Sequence, residues 1–210
     1  MNNMIKAFLE GKVTPKCFVE IMDDKQFREE VDNFFPKELA SDPDAPFWED
    51  KSYLFYKRHQ FRLSRVLDAC YAWNCIGTAY SAYEELKSIA QWRGLDLQYS
   101  SKYTDMEHLY LDVAAEHFEG IAVADVLDEI IESALQEKTK KAAKEEAKKK
   151  LKDRFHVQGK KMPHWIQGAE WPMGEKSPMQ FVESKRIVDG KKFIFRDVDT
   201  GQILEILQHY

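Results

Sequence analysis

Through the first two thirds of the chain, apolar residues recur at spacings of three and four, the period of helices packed by one face. Residues 4–10 predict a short opening helix. Thr14-Pro15 predicts the N-cap and first position of a second, with Cys17, Phe18 and Ile21 as its apolar side. Asp24 predicts the cap of a third, carrying Phe27, Val31, Phe34 and Phe35 and stopped by Pro36. Residues 36–50, with Asp42-Pro43-Asp44-Ala45-Pro46, read as a loop whose Phe47-Trp48 plugs into the core. A largely buried helical pattern runs from Lys51 to Arg93, with Gly77 as a break or tight packing point and Gly94 in the C′ position. Thr104-Asp105-Met106-Glu107 fits a capping box and opens a helix to about Phe118. Beyond Gly120 one long helix is expected over 121–155, its second half losing the apolar stripe and becoming a solvated arm.

The period then changes. Met179-Gln180-Phe181-Val182 and Phe193-Ile194-Phe195 flank a run ending in Asp189-Gly190, a hairpin signal. Asp199-Thr200-Gly201 predicts a second turn before Ile203-Leu204-Glu205-Ile206-Leu207. The expected fold is therefore α+β: a mostly helical body with a small C-terminal antiparallel β-meander, and a fourth short strand near Trp165-Ile166. The expected division is an acidic helical body over 1–137, a basic arm over 138–155 continuing the last helix, and a sheet subdomain over 156–210.

Composition narrows the class. The 210 residues are 44% hydrophobic and 13% aromatic, with 9 Gly and 7 Pro, which excludes disordered and collagen-like chains. Three cysteines without a C-x-x-C pair suit reduced thiols in the cytoplasm. Neither a signal-peptide pattern nor an 18-residue apolar run is expected, so no membrane partner is anticipated. The net charge of −5 averages three segments. Residues 1–137 hold 14 basic and 26 acidic residues, 138–154 hold 9 and 3, and 155–210 hold 8 and 7. An acidic body repels nucleic acid and attracts basic protein surfaces.

The chain carries no G-x-S-x-G, Walker A or G-x-G-x-x-G motif, so no catalytic residue and no cofactor are assigned. Cys70 and Cys75 read as inert core thiols. His108, Asp112 and Glu116 recur every four residues on one helix face, flanked by Asp105 and Glu119. That stripe reads as a solvated face, as an acidic protein-binding surface, or as the start of a metal site, although one helix cannot surround an ion. The basic run lacks the interleaved aromatics that stack on bases and a bulky apolar face for a membrane. The candidate partner-binding residues are Asp42, Asp44, Trp48 and Glu49 in the loop and Asp105, His108, Asp112, Glu116 and Glu119 on the stripe.

The tail Pro163-His164-Trp165-Ile166-Gln167, Glu170-Trp171-Pro172, Pro178-Met179-Gln180-Phe181-Val182, Phe193-Ile194-Phe195-Arg196-Asp197 and Gln208-His209-Tyr210 resembles that of bacterial immunity proteins. In those chains a P-x-W-I-Q-x-x-E-W-P stretch precedes a hairpin rich in Phe and Gly. Phe8 to Pro15, with Phe18, resembles their short N-terminal helices. The resemblance covers about a third of the chain. It implies a non-catalytic cytoplasmic protein that neutralises a cognate toxin domain, such as a nuclease, delivered by contact-dependent or type VI systems. It assigns no contact residues and no oligomeric state. The alternatives are an adaptor or chaperone for a secreted effector, and a metal-dependent enzyme using His108, Asp112 and Glu116.

Overall fold

The computed structural model describes residues 3–22, 24–34, 63 and 75–210. The described elements are α1 (Asn3–Leu9), α2 (Pro15–Ile21), α3 (Lys25–Phe34), α4 (Cys75–Trp92), α5 (Lys102–Val113), a 3₁₀ turn (Ile121–Val123), α6 (Ala124–Ala134), α7 (Lys140–Arg154), β1 (Gln180–Ile187), β2 (Gly190–Arg196) and β3 (Ile203–His209). The class is α+β, as the periodicity implied. No helix among the described residues is long and apolar enough to cross a membrane.

The chain divides into two compact units, Met1–Thr104 and Asp105–Tyr210. The basic run and the meander thus share one unit with the helices that precede them. Counted by unit, the charge contrast largely disappears: residues 1–104 hold 14 basic and 16 acidic residues, and 105–210 hold 17 and 20. The acidic body of residues 1–137 is not a structural unit.

Local signals set the helix ends of the first unit. Thr14 Oγ1 accepts from Cys17 N at 3.2 Å, with Pro15 opening α2. Asp24 Oδ1 accepts from Phe27 N at 2.8 Å and caps α3. Helix α4 closes in a Schellman motif, in which Gly94 N donates to Gln91 O at 2.9 Å and Leu95 N to Ala90 O at 3.0 Å. The core gathers Phe8, Phe18, Phe27, Tyr83 and Tyr103, with Phe8 stacked on Phe18 at 4.1 Å between centroids. Buried tyrosines need a partner for their hydroxyls. Tyr103 donates to Val13 O at 2.7 Å, and Tyr83 to Ser100 O. Burial pushes the Tyr83 hydroxyl pKa up to about 12.

From α5 onward, several expectations are corrected. Helix α5 begins at Lys102, so Thr104 lies inside it and its hydroxyl donates to Glu84 Oε1 at 3.5 Å rather than closing a capping box. It also ends early, at Val113, with turns over 114–117. The long helix of 121–155 is broken: α6 stops at Ala134, and α7 restarts with Thr139 as N-cap, its side chain accepting from Ala142 N at 3.1 Å. Thr139 has the extended backbone that caps prefer, which no continuous helix could accommodate. Nor is α7 a solvated arm, because Ala143, Ala147 and Leu151 are buried along one stripe and α7 packs on α6. Alanines at a spacing of four let helices approach closely, so a stripe poor in bulk can still be a packed one.

The sheet is an antiparallel meander in the order β1-β2-β3. Gly190 pairs with Ile187 as the first residue of β2, so Val188 and Asp189 form the turn. A Cβ at Gly190 would lie 1.9 Å from Gln208 O, which makes close backbone approach the reason for glycine there. The expected strand at Trp165-Ile166 is absent; that segment is coil tied to β3 by a side chain. Gln208, buried on β3, accepts from Ile166 N at 2.9 Å and Gln167 N at 3.2 Å and donates to Gly168 O at 2.7 Å. Trp165 stacks on Phe195, while Trp171 sits among Phe118, Phe155 and Phe195 and donates its indole N–H to Met179 O at 2.8 Å. Trp171 is thus a core residue of the second unit, and the half-buried Trp165 covers Phe193 and Phe195.

Candidate functional site

Asp105, His108 and Asp112 lie at positions i, i+3 and i+7 of α5, so their side chains share one helical stripe. They form one wall of a groove of about 610 Å³. Leu109 and Leu111 extend that wall, and Leu111 is 58% exposed. Leu135, Glu137, Lys138, Thr139, Lys140 and Ala143 form the rest of the lining. The break between α6 and α7 creates this second wall, because it turns the first residues of α7 toward α5. The α7 N-terminus contributes partial positive charge there, reinforced by Lys138 and Lys140. Lys144 reaches Asp112 across the helices at 3.1 Å.

The groove therefore carries Asp105 and Asp112 on one wall and Glu137, Lys138 and Lys140 on the other, with Leu111 exposed beside them. It suits a protein segment with an apolar anchor flanked by polar groups. Among the described residues no three His, Cys, Asp or Glu side chains gather where they could hold an ion, so the His108, Asp112 and Glu116 metal set is not assembled.

The other acidic stripe residues go elsewhere. Glu116 is exposed in the turn after α5, with Oε2 3.8 Å from His117 Nε2. Glu119 turns inward, where Tyr110 donates to its Oε1 at 3.0 Å. Asp42, Asp44, Trp48 and Glu49 lie outside the described residues, as does Cys70.

Glu107 shares this interior with Glu119, and its Oε2 is buried without a hydrogen-bond partner. Burial raises the pKa of Glu107 above the usual carboxylate value; His108 partly offsets this and Glu119 adds to it. Burial also raises that of Glu119, against the lowering effect of the Tyr110 hydrogen bond. The Tyr110 hydroxyl is itself pushed up, by burial first and then by the Glu119 charge. Nearby, Glu119 O accepts from Trp171 N at 2.8 Å. Gly120 permits that approach, since its φ is +151° and a Cβ would meet Trp171 N and O at 3.0 Å. The sequence pattern offered Glu107 only as half of a capping box. Its approach to Glu119 depends on the end of α5 at Val113 and the turns over 114–117, where the apolar spacing predicts a helix continuing to about Phe118.

No protein-family model matches the chain, and neither the curated proteins nor the solved structures contain a significant match to it.

Proposed function

We propose that this chain is a bacterial immunity protein that binds and neutralises a cognate antibacterial toxin domain in the cytoplasm by direct, non-catalytic contact. The α5–α7 groove carries the reading, because Asp105, His108 and Asp112, three residues of the acidic stripe, converge there beside the exposed Leu111. Exposed apolar side chains within a polar rim are the usual anatomy of a protein-binding site. Carboxylates on that rim favour a basic toxin surface and speed its capture. A nuclease, which must itself bind phosphates, is one toxin class with such a surface.

The test is survival of cells expressing the toxin encoded beside this chain, together with binding of the two purified proteins. Wild type is expected to protect and bind. Leu111→Asp with Asp105→Ala is expected to lose both while retaining the wild-type circular dichroism spectrum. Unimpaired protection by that variant removes the groove from the interface. Failure of the wild type to protect or bind overturns the immunity reading, and toxin export that depends on the chain, without protection, identifies an adaptor instead.

A further inference from the structure

The two edges of the meander are built differently. Edge β1 has a bulge between Phe181 and Glu183 and an exposed run of Glu183, Ser184, Lys185 and Arg186. Bulges and charges are the usual means of keeping an edge from pairing. Edge β3, with the sequence ILEILQH, has no bulge and a single carboxylate. Its pairing with β2 is in continuous register, and Ile203, Leu204 and Leu207 are 52%, 40% and 53% exposed. Its single carboxylate, Glu205, is held by Lys192 at 2.7 Å.

The ladder shows which backbone groups of β3 face outward. Asp197 N donates to Gln202 O at 2.8 Å at one end, and Tyr210 N to Asp189 O at 3.0 Å at the other. Antiparallel pairs alternate between hydrogen-bonded and non-hydrogen-bonded, so Leu204, Ile206 and Gln208 turn their backbone groups toward β2. Ile203, Glu205 and Leu207 turn theirs away. The next outward carbonyl, that of His209, is already occupied by Gln167 Nε2 at 3.0 Å. The open edge is thus Ile203 to Leu207, and it is symmetric about Glu205.

We propose that β3 pairs antiparallel with β3 of a second copy of this chain, about a two-fold axis at Glu205, to form a continuous six-stranded sheet. This register satisfies every open backbone group and leaves the Gln167 cap in place. It sets Ile203 opposite Leu207 of the other copy on one face, and Leu204 opposite Ile206 on the other. A second copy fits because the open run Ile203 to Leu207 is symmetric about Glu205, so each outward backbone group and each apolar side chain meets its complement in another copy. The apolar area is small beside the ~1,200 Å² of a standard interface, so the dimer is weak and concentration-dependent. The two Glu205 carboxylates face each other and weaken it further.

Sedimentation velocity of the full chain over a concentration series tests the pairing. Wild type is expected to shift from monomer to dimer. Leu207→Lys, at an exposed position that does not threaten the fold, is expected to weaken the dimer by about tenfold or more, since edge lysines oppose pairing. Glu205→Gln is expected to tighten it by roughly two- to fivefold. Under mild oxidation Glu205→Cys should cross-link across the axis beyond the wild-type cysteine background, while Ile203→Cys should not. A wild type that stays monomeric to its solubility limit, or a dimer indifferent to Leu207→Lys, overturns the proposal. Cross-linking by Ile203→Cys but not Glu205→Cys overturns the register.

Discussion

In Met1–Thr104 the buried rings of Phe8, Phe18, Tyr83 and Tyr103 ride on helices, and helical period alone aims them at one another. In Asp105–Tyr210 the rings of Trp165 and Trp171 sit in coil, and individual hydrogen bonds fix them. The first kind of core spreads its stability over many interchangeable apolar contacts. The second concentrates it in a few polar anchors, each of which leaves several orphaned groups when removed.

The largest expected effect follows from that concentration. Trp171→Ala empties a fully buried site walled by Phe118, Phe155 and Phe195 and frees Met179 O, and is expected to cost about 3–5 kcal/mol. Hydrogen exchange should localise the loss to Asp105–Tyr210. A loss of protection confined to Met1–Thr104 would break the comparison.

Next comes Gln208→Leu, which strands Ile166 N, Gln167 N and Gly168 O and is expected to cost about 1–3 kcal/mol. Tyr103→Phe, its counterpart in the helical core, removes one bond to Val13 O and is expected to cost about 1 kcal/mol. Chemical denaturation of both variants measures the difference. Equal losses would mean that the coil anchors are no more concentrated than the helical ones.

Glu107 sharpens the contrast in the opposite direction. The pKa values of Glu107 and Glu119 are raised in the folded chain, so folding favours their protonated forms. Their contribution is present below the ordinary carboxylate range and is lost as pH rises through the raised folded values. Glu107→Gln should therefore stabilise the chain near neutral pH, by about 1 kcal/mol or roughly 2–4 °C in Tm. That gain should vanish in acid. Thermal melts across pH test it, and a variant destabilised near neutral pH would contradict the raised pKa. The smallest effect is expected of Lys144→Ala, whose ion pair with the exposed Asp112 is worth less than about 1 kcal/mol and should fade with salt.

Much of the architecture was legible in the sequence. Thr14, Asp24 and Gly94 mark helix ends because caps are local hydrogen bonds between residues a few positions apart. Asp199-Thr200-Gly201 marks its turn for the same reason, with Asp197 Oδ1 accepting from Asp199 N at 2.9 Å. The α+β class followed from the change of period. The stripe of Asp105, His108 and Asp112 was equally readable, since one helix sets their common face.

Tertiary structure alone decided the rest. It turned the lysine-rich run from a solvated arm into a packed helix, because the break before Thr139 lets the Ala143–Ala147–Leu151 helix fold back on α6, a contact that one continuous helix could not make. It separated Glu119 from the acidic stripe and turned it inward beside Glu107, since α5 ends at Val113 and the turns over 114–117 redirect the chain. It also redistributed the charge, so that the acidic residues of 105–137 and the basic helix share one unit and Lys144 meets Asp112 there. Sequence determines what a residue can do within a few positions of itself. Which distant surface it meets, and so whether a carboxylate is solvated, paired or left buried, is fixed only when the elements pack.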